Sequence, residues 1–177
     1  MTKWFLPIGL IFLFNFSIIE KTTAQIFLGA SIGAVDSSPS PNASVYGNAG
    51  YNIKFYSWSL KSTLGYYYTL FPTPENKPKT QFSGLLATIK PEFILTSDRE
   101  NPFKANIGPA YFYGTYAFGK NASLFGISPG IAWGFEAGFT KLEITGDMNL
   151  LYATNKEGSS NGPLHLMAQM GVLVMLW

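Results

Sequence analysis

From Phe125 to Glu136 the chain alternates without a slip. Phe125, Ile127, Pro129, Ile131, Trp133 and Phe135 share one parity; Gly126, Ser128, Gly130, Ala132, Gly134 and Glu136 share the other. Successive side chains on a strand point to opposite faces, so this spacing predicts a strand with one apolar face. The pattern recurs. Leu142, Ile144, Met148, Leu150 and Tyr152 oppose Lys141, Glu143, Thr145, Asp147 and Asn149, and Tyr51, Ile53 and Phe55 oppose Asn52, Lys54 and Tyr56. Helical periodicity is absent after residue 24. The alternation predicts eight strands: Gln25–Val35, Val45–Ser57, Leu60–Phe71, Phe82–Thr96, Phe103–Tyr116, Leu124–Glu136, Phe139–Thr154 and Leu164–Trp177. Long polar connections (Asp36 to Ser44, Pro72 to Gln81, Ala117 to Ser123, Asn155 to Pro163) alternate with short turns (Trp58–Ser59, Ser97 to Pro102, Ala137–Gly138). An antiparallel up-and-down sheet with an even strand number produces that alternation.

Met1 to Ala24 reads as a cleaved signal peptide. Lys3 gives the positive start, Trp4 to Ile19 the apolar stretch, and Thr22–Thr23–Ala24 the small residues before Gln25. The alternative is an uncleaved anchor helix, for which the stretch is short. Residues 25–177 then form one barrel domain.

Alternation alone does not say which face is outside. A soluble lipocalin-like barrel alternates too, with its apolar face inward. Three features point to a transmembrane barrel with the apolar face outward. Charged residues are 12% of the chain, far below what a water-exposed exterior carries. The polar parity is rich in glycine, which suits a crowded barrel interior. The outward aromatics also fall into two bands, as expected of girdles at two membrane interfaces. Tyr66, Tyr68, Tyr111, Tyr113, Phe125 and Tyr152 lie at the loop ends; Phe55, Trp58, Phe93, Phe103, Trp133 and Phe135 lie at the turn ends.

The leader ending in Ala24–Gln25, the eight strands, and the stretches Gly108-Pro-Ala-Tyr-Phe-Tyr-Gly114 and Ile127-Ser-Pro-Gly-Ile-Ala-Trp-Gly-Phe-Glu136 resemble the small outer-membrane β-barrel superfamily of Gram-negative bacteria, which includes OmpA-, OmpX- and OmpW-type barrels. The resemblance implies an eight-stranded outer-membrane barrel, with the lipid bilayer and the barrel assembly machinery as partners and no cofactor. Two features depart from it. Trp177 has inward parity, where such barrels usually end on an outward aromatic. Pro91, Pro109 and Pro129 sit inside strands, where a missing ladder donor calls for a bulge or a locally opened ladder.

Strand direction places the inward charges Lys54, Lys61, Lys90, Glu92, Lys104, Glu136, Lys141 and Glu143 toward the turns, with Asp147 near the middle. Buried charges need partners. The expectation is an ionic network that plugs the turn-side lumen. Toward the loops, Tyr67, Phe112, Ser128, Asn149 and His165 outline a shallow outer pocket, unless the two rings fill it.

The remaining chemistry is sparse. One histidine and no cysteine argue against thiolate metal sites and disulfides, and the single arginine with no basic cluster argues against nucleic acid. A lipid A-modifying enzyme would need His165 to meet Ser159 or Ser160 and an acid, and no acid has matching placement. Glu92, Glu136 and Glu143 have lysines nearby, so ion pairs are expected ahead of acid–base catalysis. Asn42-Ala-Ser44 and Asn121-Ala-Ser123 match the glycosylation acceptor, a chance match in a bacterial chain. The expected function is therefore structural or surface-interacting and non-enzymatic, with an extracellular partner left unspecified. A narrow channel for small or hydrophobic solutes is the alternative, ahead of a secreted carrier or a lipid-modifying enzyme.

Overall fold

The computed structural model describes residues 23–37, 40–55, 58–69, 83–96, 98, 100–116, 120–138, 140–153 and 164–176. Eight strands run in chain order: β1 (Thr23–Ser37), β2 (Ser40–Lys54), β3 (Trp58–Thr69), β4 (Ser83–Ile94), β5 (Phe103–Tyr116), β6 (Lys120–Ala137), β7 (Thr140–Ala153) and β8 (His165–Leu176). Each pairs antiparallel with its neighbours, and β8 returns to β1, from Ile26 opposite Leu176 to Val35 opposite Met167. The sheet has no edge, so no row of backbone donors is left unpaired at a boundary.

The parity of the sequence becomes inside and outside. Ile32 is 71% exposed and Met170 66%, while the inward Glu92 and Tyr67 are both 0% exposed. Leu64, Ile89, Ile107, Ile127 and Ile131 continue the exposed apolar belt. Glycines let the wall close around its contents. Gly84 and Gly114 face each other across β4 and β5, and a Cβ on Gly84 would come within 3.0 Å of the Gly114 nitrogen. Each therefore lacks room for a side chain.

Three connections differ from expectation. The β1–β2 ladder continues to Ser37 opposite Ser40, so most of the expected loop Asp36 to Ser44 is strand. The β5–β6 ladder likewise reaches Tyr116 opposite Lys120, inside the expected loop Ala117 to Ser123. Their Ser, Asn and Pro composition reads as loop, but an established ladder goes on adding backbone hydrogen bonds whatever the side-chain polarity. Trp58 and Ser59 open β3 instead of forming a turn; the Phe55 amide donates to the Trp58 carbonyl at 2.8 Å and closes the hairpin one step earlier. The β6–β7 turn is tight, with Ala137 opposite Thr140 and Gly138 at φ 63°, a conformation that favours glycine.

The prolines open the ladder without a bulge. Between β4 and β5 the pairing stops at Thr88–Ala110 and resumes at Glu92–Asn106 in the same register, skipping Pro91 and Pro109. Between β6 and β7 it stops at Ile127–Leu150 and resumes at Gly130–Asp147, skipping Pro129. The leader up to residue 22, the connections Pro72 to Gln81 and Asn155 to Pro163, and Trp177 lie outside the described residues.

Candidate functional site: the lumen

The lumen has two unlike halves. Toward the turns, Glu92 on β4 and Glu143 on β7 face Lys61 on β3 and Lys104 on β5. Lys61 pairs with Glu143 and, at 3.3 Å, with Glu92; Lys104 lies 2.5 Å from Glu143 and 3.5 Å from Glu92. All four are at least nine-tenths buried. The Asn52 amide and the Ser59 hydroxyl donate to Glu92 Oε2 at 3.1 and 3.0 Å, satisfying the lone pairs that the lysines leave. Lys61 also sits 5.5 Å from the centre of the Phe27 ring.

A second tier lies nearer mid-height. Lys90 on β4 contacts Asp147 on β7 at 2.5 Å and the Ser128 hydroxyl on β6 at 3.4 Å. Lys90 and Lys61 are direct cross-strand partners, an arrangement that like charges disfavour. Here they diverge, Lys61 toward the two glutamates and Lys90 toward Asp147. Across both tiers three lysines meet three carboxylates, so the buried charge balances.

Of the other expected network members, Glu136 and Lys141 pair at 2.8 Å on the exposed turn-side rim, where such a pair contributes little. Lys54 lines a void of about 60 Å³ at the turn-side mouth with Lys104, Lys141 and Glu143, and has no ion pair among the described residues. Asn52 and Ser59 are not conspicuous in the sequence: Ser59 reads as part of a turn, and Asn52 carries no charge. The register places Asn52 opposite Lys61 and Ser59 opposite Glu92, which is the signal that finds them.

The loop-side half corrects the expected pocket. Tyr67 and Phe112 are fully buried among Val35, Tyr46, Leu86, Leu124, Leu151 and Met167. These side chains share the inward parity and fill the space with apolar volume. The Tyr67 hydroxyl bonds to the Ser44 hydroxyl, and Tyr46 donates to the Leu86 carbonyl at 3.2 Å. Asn149 and His165 are buried, Asn149 donating to the Met167 carbonyl at 3.5 Å. Ser128 belongs to the middle ionic tier instead. Between the halves, beside Tyr46, Lys61 and Lys90, lies a void of about 10 Å³, roughly one water molecule.

Of the twelve expected girdle residues eight are exposed, and Phe55, Trp58, Phe103 and Phe135 are half-buried. Tyr66, Tyr68, Tyr111, Tyr113, Phe125 and Tyr152 are exposed at the loop end. At the turn end Phe55 stacks on Trp58, ring centres 4.1 Å apart, and Trp133 lies 5.6 Å from Phe135. Phe93 and Phe103 complete that band.

A closed eight-stranded wall, apolar outside and charged within, can be set against solved structures. Ail, the attachment invasion locus protein of Yersinia pestis, crystallised with the heparin analogue sucrose octasulfate, matches 86% of this chain and 97% of its own, at 12% identity and TM-score 0.54. Neisserial surface protein A matches 88% of this chain and 99% of its own, at 12% identity and TM-score 0.58. The fold is that of the small outer-membrane β-barrels. No protein-family model matches the chain, and no curated protein sequence does. The small-barrel fold accounts for the closed eight-strand topology.

Proposed function

We propose that this chain resides in an outer membrane as a non-enzymatic barrel with a plugged lumen, acting in wall structure or through its outward surface. The observation that carries the reading is the inversion of polarity. Charged groups are buried in balanced tiers, while Ile, Leu, Val and aromatic side chains face out all round the wall. In water that exterior would be a continuous apolar patch far larger than soluble proteins tolerate. In a bilayer it is the favoured surface, and the closed ladder satisfies backbone groups that lipid cannot.

Packing supports the plug. An eight-stranded barrel encloses just enough room for its side chains. Here the loop half is filled by aromatic and aliphatic groups and the turn half by ion pairs. A surface role is supported by the two fold relatives, one an attachment protein and one a surface protein. A non-catalytic role is supported by the use of Glu92, Glu143 and Asp147, the lumen carboxylates among the described residues, in ion pairs. Export by a signal peptide and assembly by the barrel machinery are parts of the same reading.

Electrophoresis of the outer-membrane fraction, boiled and unboiled, tests residence and fold together. A closed barrel resists detergent and shifts its mobility only after heating. A soluble, heat-indifferent protein would overturn the reading. Planar-bilayer recording tests the plug: steady single-channel openings would refute it and favour the narrow-channel alternative.

A further inference from the structure

The turn-side mouth carries charges that the two ionic tiers do not use. Lys54 is the last residue of β2, half-buried and opposite Ser59. Glu100 belongs to the β4–β5 turn, on the other side of the barrel. Both line the void of about 60 Å³ at the mouth. Neither has an ion pair among the described residues, and they do not reach each other. The turn that holds Glu100 is fastened in place. Asp98 accepts from the Glu100 amide at 2.9 Å, and the Gly134 amide on β6 donates to the Pro102 carbonyl at 3.0 Å. The second bond folds the turn against that side of the mouth.

The other charges at the void are already engaged. Lys104 is shared by Glu92 and Glu143, and Lys141 pairs with Glu136. One cation and one anion remain. A simple anion drawn to Lys54 would meet the carboxylates of Glu143 and Glu100. A simple cation drawn to Glu100 would meet three ammonium groups. A ligand carrying both signs answers both sides at once. Asn52 lines the void too. Its amide goes to Glu92, and its carboxamide oxygen is buried without a protein donor. Such an acceptor calls for a donor.

Size narrows the ligand further. The void is about six times the one-water void between the tiers, which gives room for roughly five non-hydrogen atoms. Met175 and the Pro102 ring supply apolar contact for a short carbon skeleton. Gly134 also lines the void. A Cβ there would meet the Pro102 ring first, at 3.4 Å, an ordinary contact. Closure of the wall therefore does not require glycine at this position, and its missing side chain leaves the void open.

We propose that the turn-side mouth binds the zwitterionic head of an α-amino acid, with its carboxylate on Lys54, its ammonium on Glu100 and Asn52 at the floor. A side chain on the ligand leaves through the open mouth, and both halves of the lumen stay filled. The site lies at the end of the barrel, so it stands whether the wall faces lipid or water.

Methionine methyl groups labelled with carbon-13 place a reporter at Met175, assigned by Met175→Leu. In the refolded chain in detergent micelles, glycine should shift that signal saturably, with half-saturation in about the millimolar range. Acetate and methylammonium each carry half of the zwitterion and should bind at least about tenfold more weakly. Lys54→Met and Glu100→Gln should each weaken glycine about tenfold. Both leave the ionic tiers intact, which the heat-dependent shift in mobility checks. Gly134→Val should abolish the response by filling the void while every charge stays in place. If that variant does not fold, the two charge variants decide. Absence of a saturable glycine shift would overturn the site. So would equal responses to acetate or sulfate, which mark a plain anion site, or a glycine response unchanged in K54M and E100Q.

Discussion

Glu92 and Tyr67 are both fully buried inside the same wall, yet different forces hold them. Glu92 is held by two lysines, an amide and a hydroxyl, each in a defined direction. Tyr67 is held mainly by the apolar volume around its ring, with one hydroxyl contact at its tip. The turn-side half of the lumen is specified by charge and geometry, the loop-side half by size and shape. A charged half should fail abruptly when one partner goes, whereas an apolar half should degrade with the volume removed.

The largest effect should therefore come from Glu143→Gln. It preserves shape but leaves Lys61 and Lys104 sharing one carboxylate in a largely buried site. Breaking a buried pair in this way costs about 3–5 kcal/mol. Urea unfolding of the refolded barrel in vesicles should show the loss. Changing Lys61, Lys104, Glu92 and Glu143 together to Met and Leu should instead be close to neutral, because the desolvation cost disappears with the charges. A quadruple variant as unstable as the single one would show that the tier fixes the barrel geometry as well.

On the loop side, Leu124→Ala should cost about 3 kcal/mol through transfer and cavity terms, and Leu124→Met less than about 1.5. That gradation is what the charged half should lack. If Leu124→Met were as damaging as Leu124→Ala, the apolar half would be a shape-specific lock and the contrast between the halves would collapse.

The sequence revealed the wall more fully than its contents. Parity and turn spacing indicate eight strands, because a period of two is fixed by backbone geometry; which face lies outside rests instead on the low charge and the glycine-rich polar parity. The inward charges were visible because charge is conspicuous. The loop-side apolar core was not, although Leu86, Leu124 and Leu151 have inward parity. An apolar residue on the supposedly polar face is easily passed over, and only closure of the barrel shows that these meet Tyr67 and Phe112. The strand extensions at Ser40 and Lys120 were hidden by polar composition. Register across the lumen, which brings Lys90 to Asp147, depends on how far the strands slide past each other as the sheet closes. No single strand encodes that.

The two turn-side hairpins offer a smaller contrast of the same kind. The β6–β7 turn depends on one backbone angle, and the β4–β5 turn on a side chain. Gly138→Ala at φ 63° should cost about 1–2 kcal/mol, since an L-residue with a Cβ strains in that region. Gly138→Asn should cost less, because asparagine tolerates it. Equal losses from the two would mean that something other than the backbone angle limits this turn.

In the β4–β5 turn, Asp98 accepts from the Asn101 amide at 3.1 Å and the Glu100 amide at 2.9 Å. Those backbone bonds, Asn101 first, hold the Asp98 carboxyl below its ordinary value, because they favour the ionised acceptor. The sign follows. A carboxyl lowered on folding adds stability above its unfolded value, and that stability is lost as pH falls through its folded value. Asp98→Ala should therefore lower the unfolding temperature slightly at neutral pH, and the difference from the unmodified chain should vanish in acid below the carboxylate range. Asp98→Asn keeps an acceptor without the charge, so it should fall between the two at neutral pH. The residue is fully exposed, so solvent screens most of the gain and this is the smallest effect. Thermal melts at neutral and acid pH would measure it. A pH-independent gap between Asp98→Ala and the unmodified chain would mean that the turn is held by the hydrogen bonds alone, with the charge adding nothing.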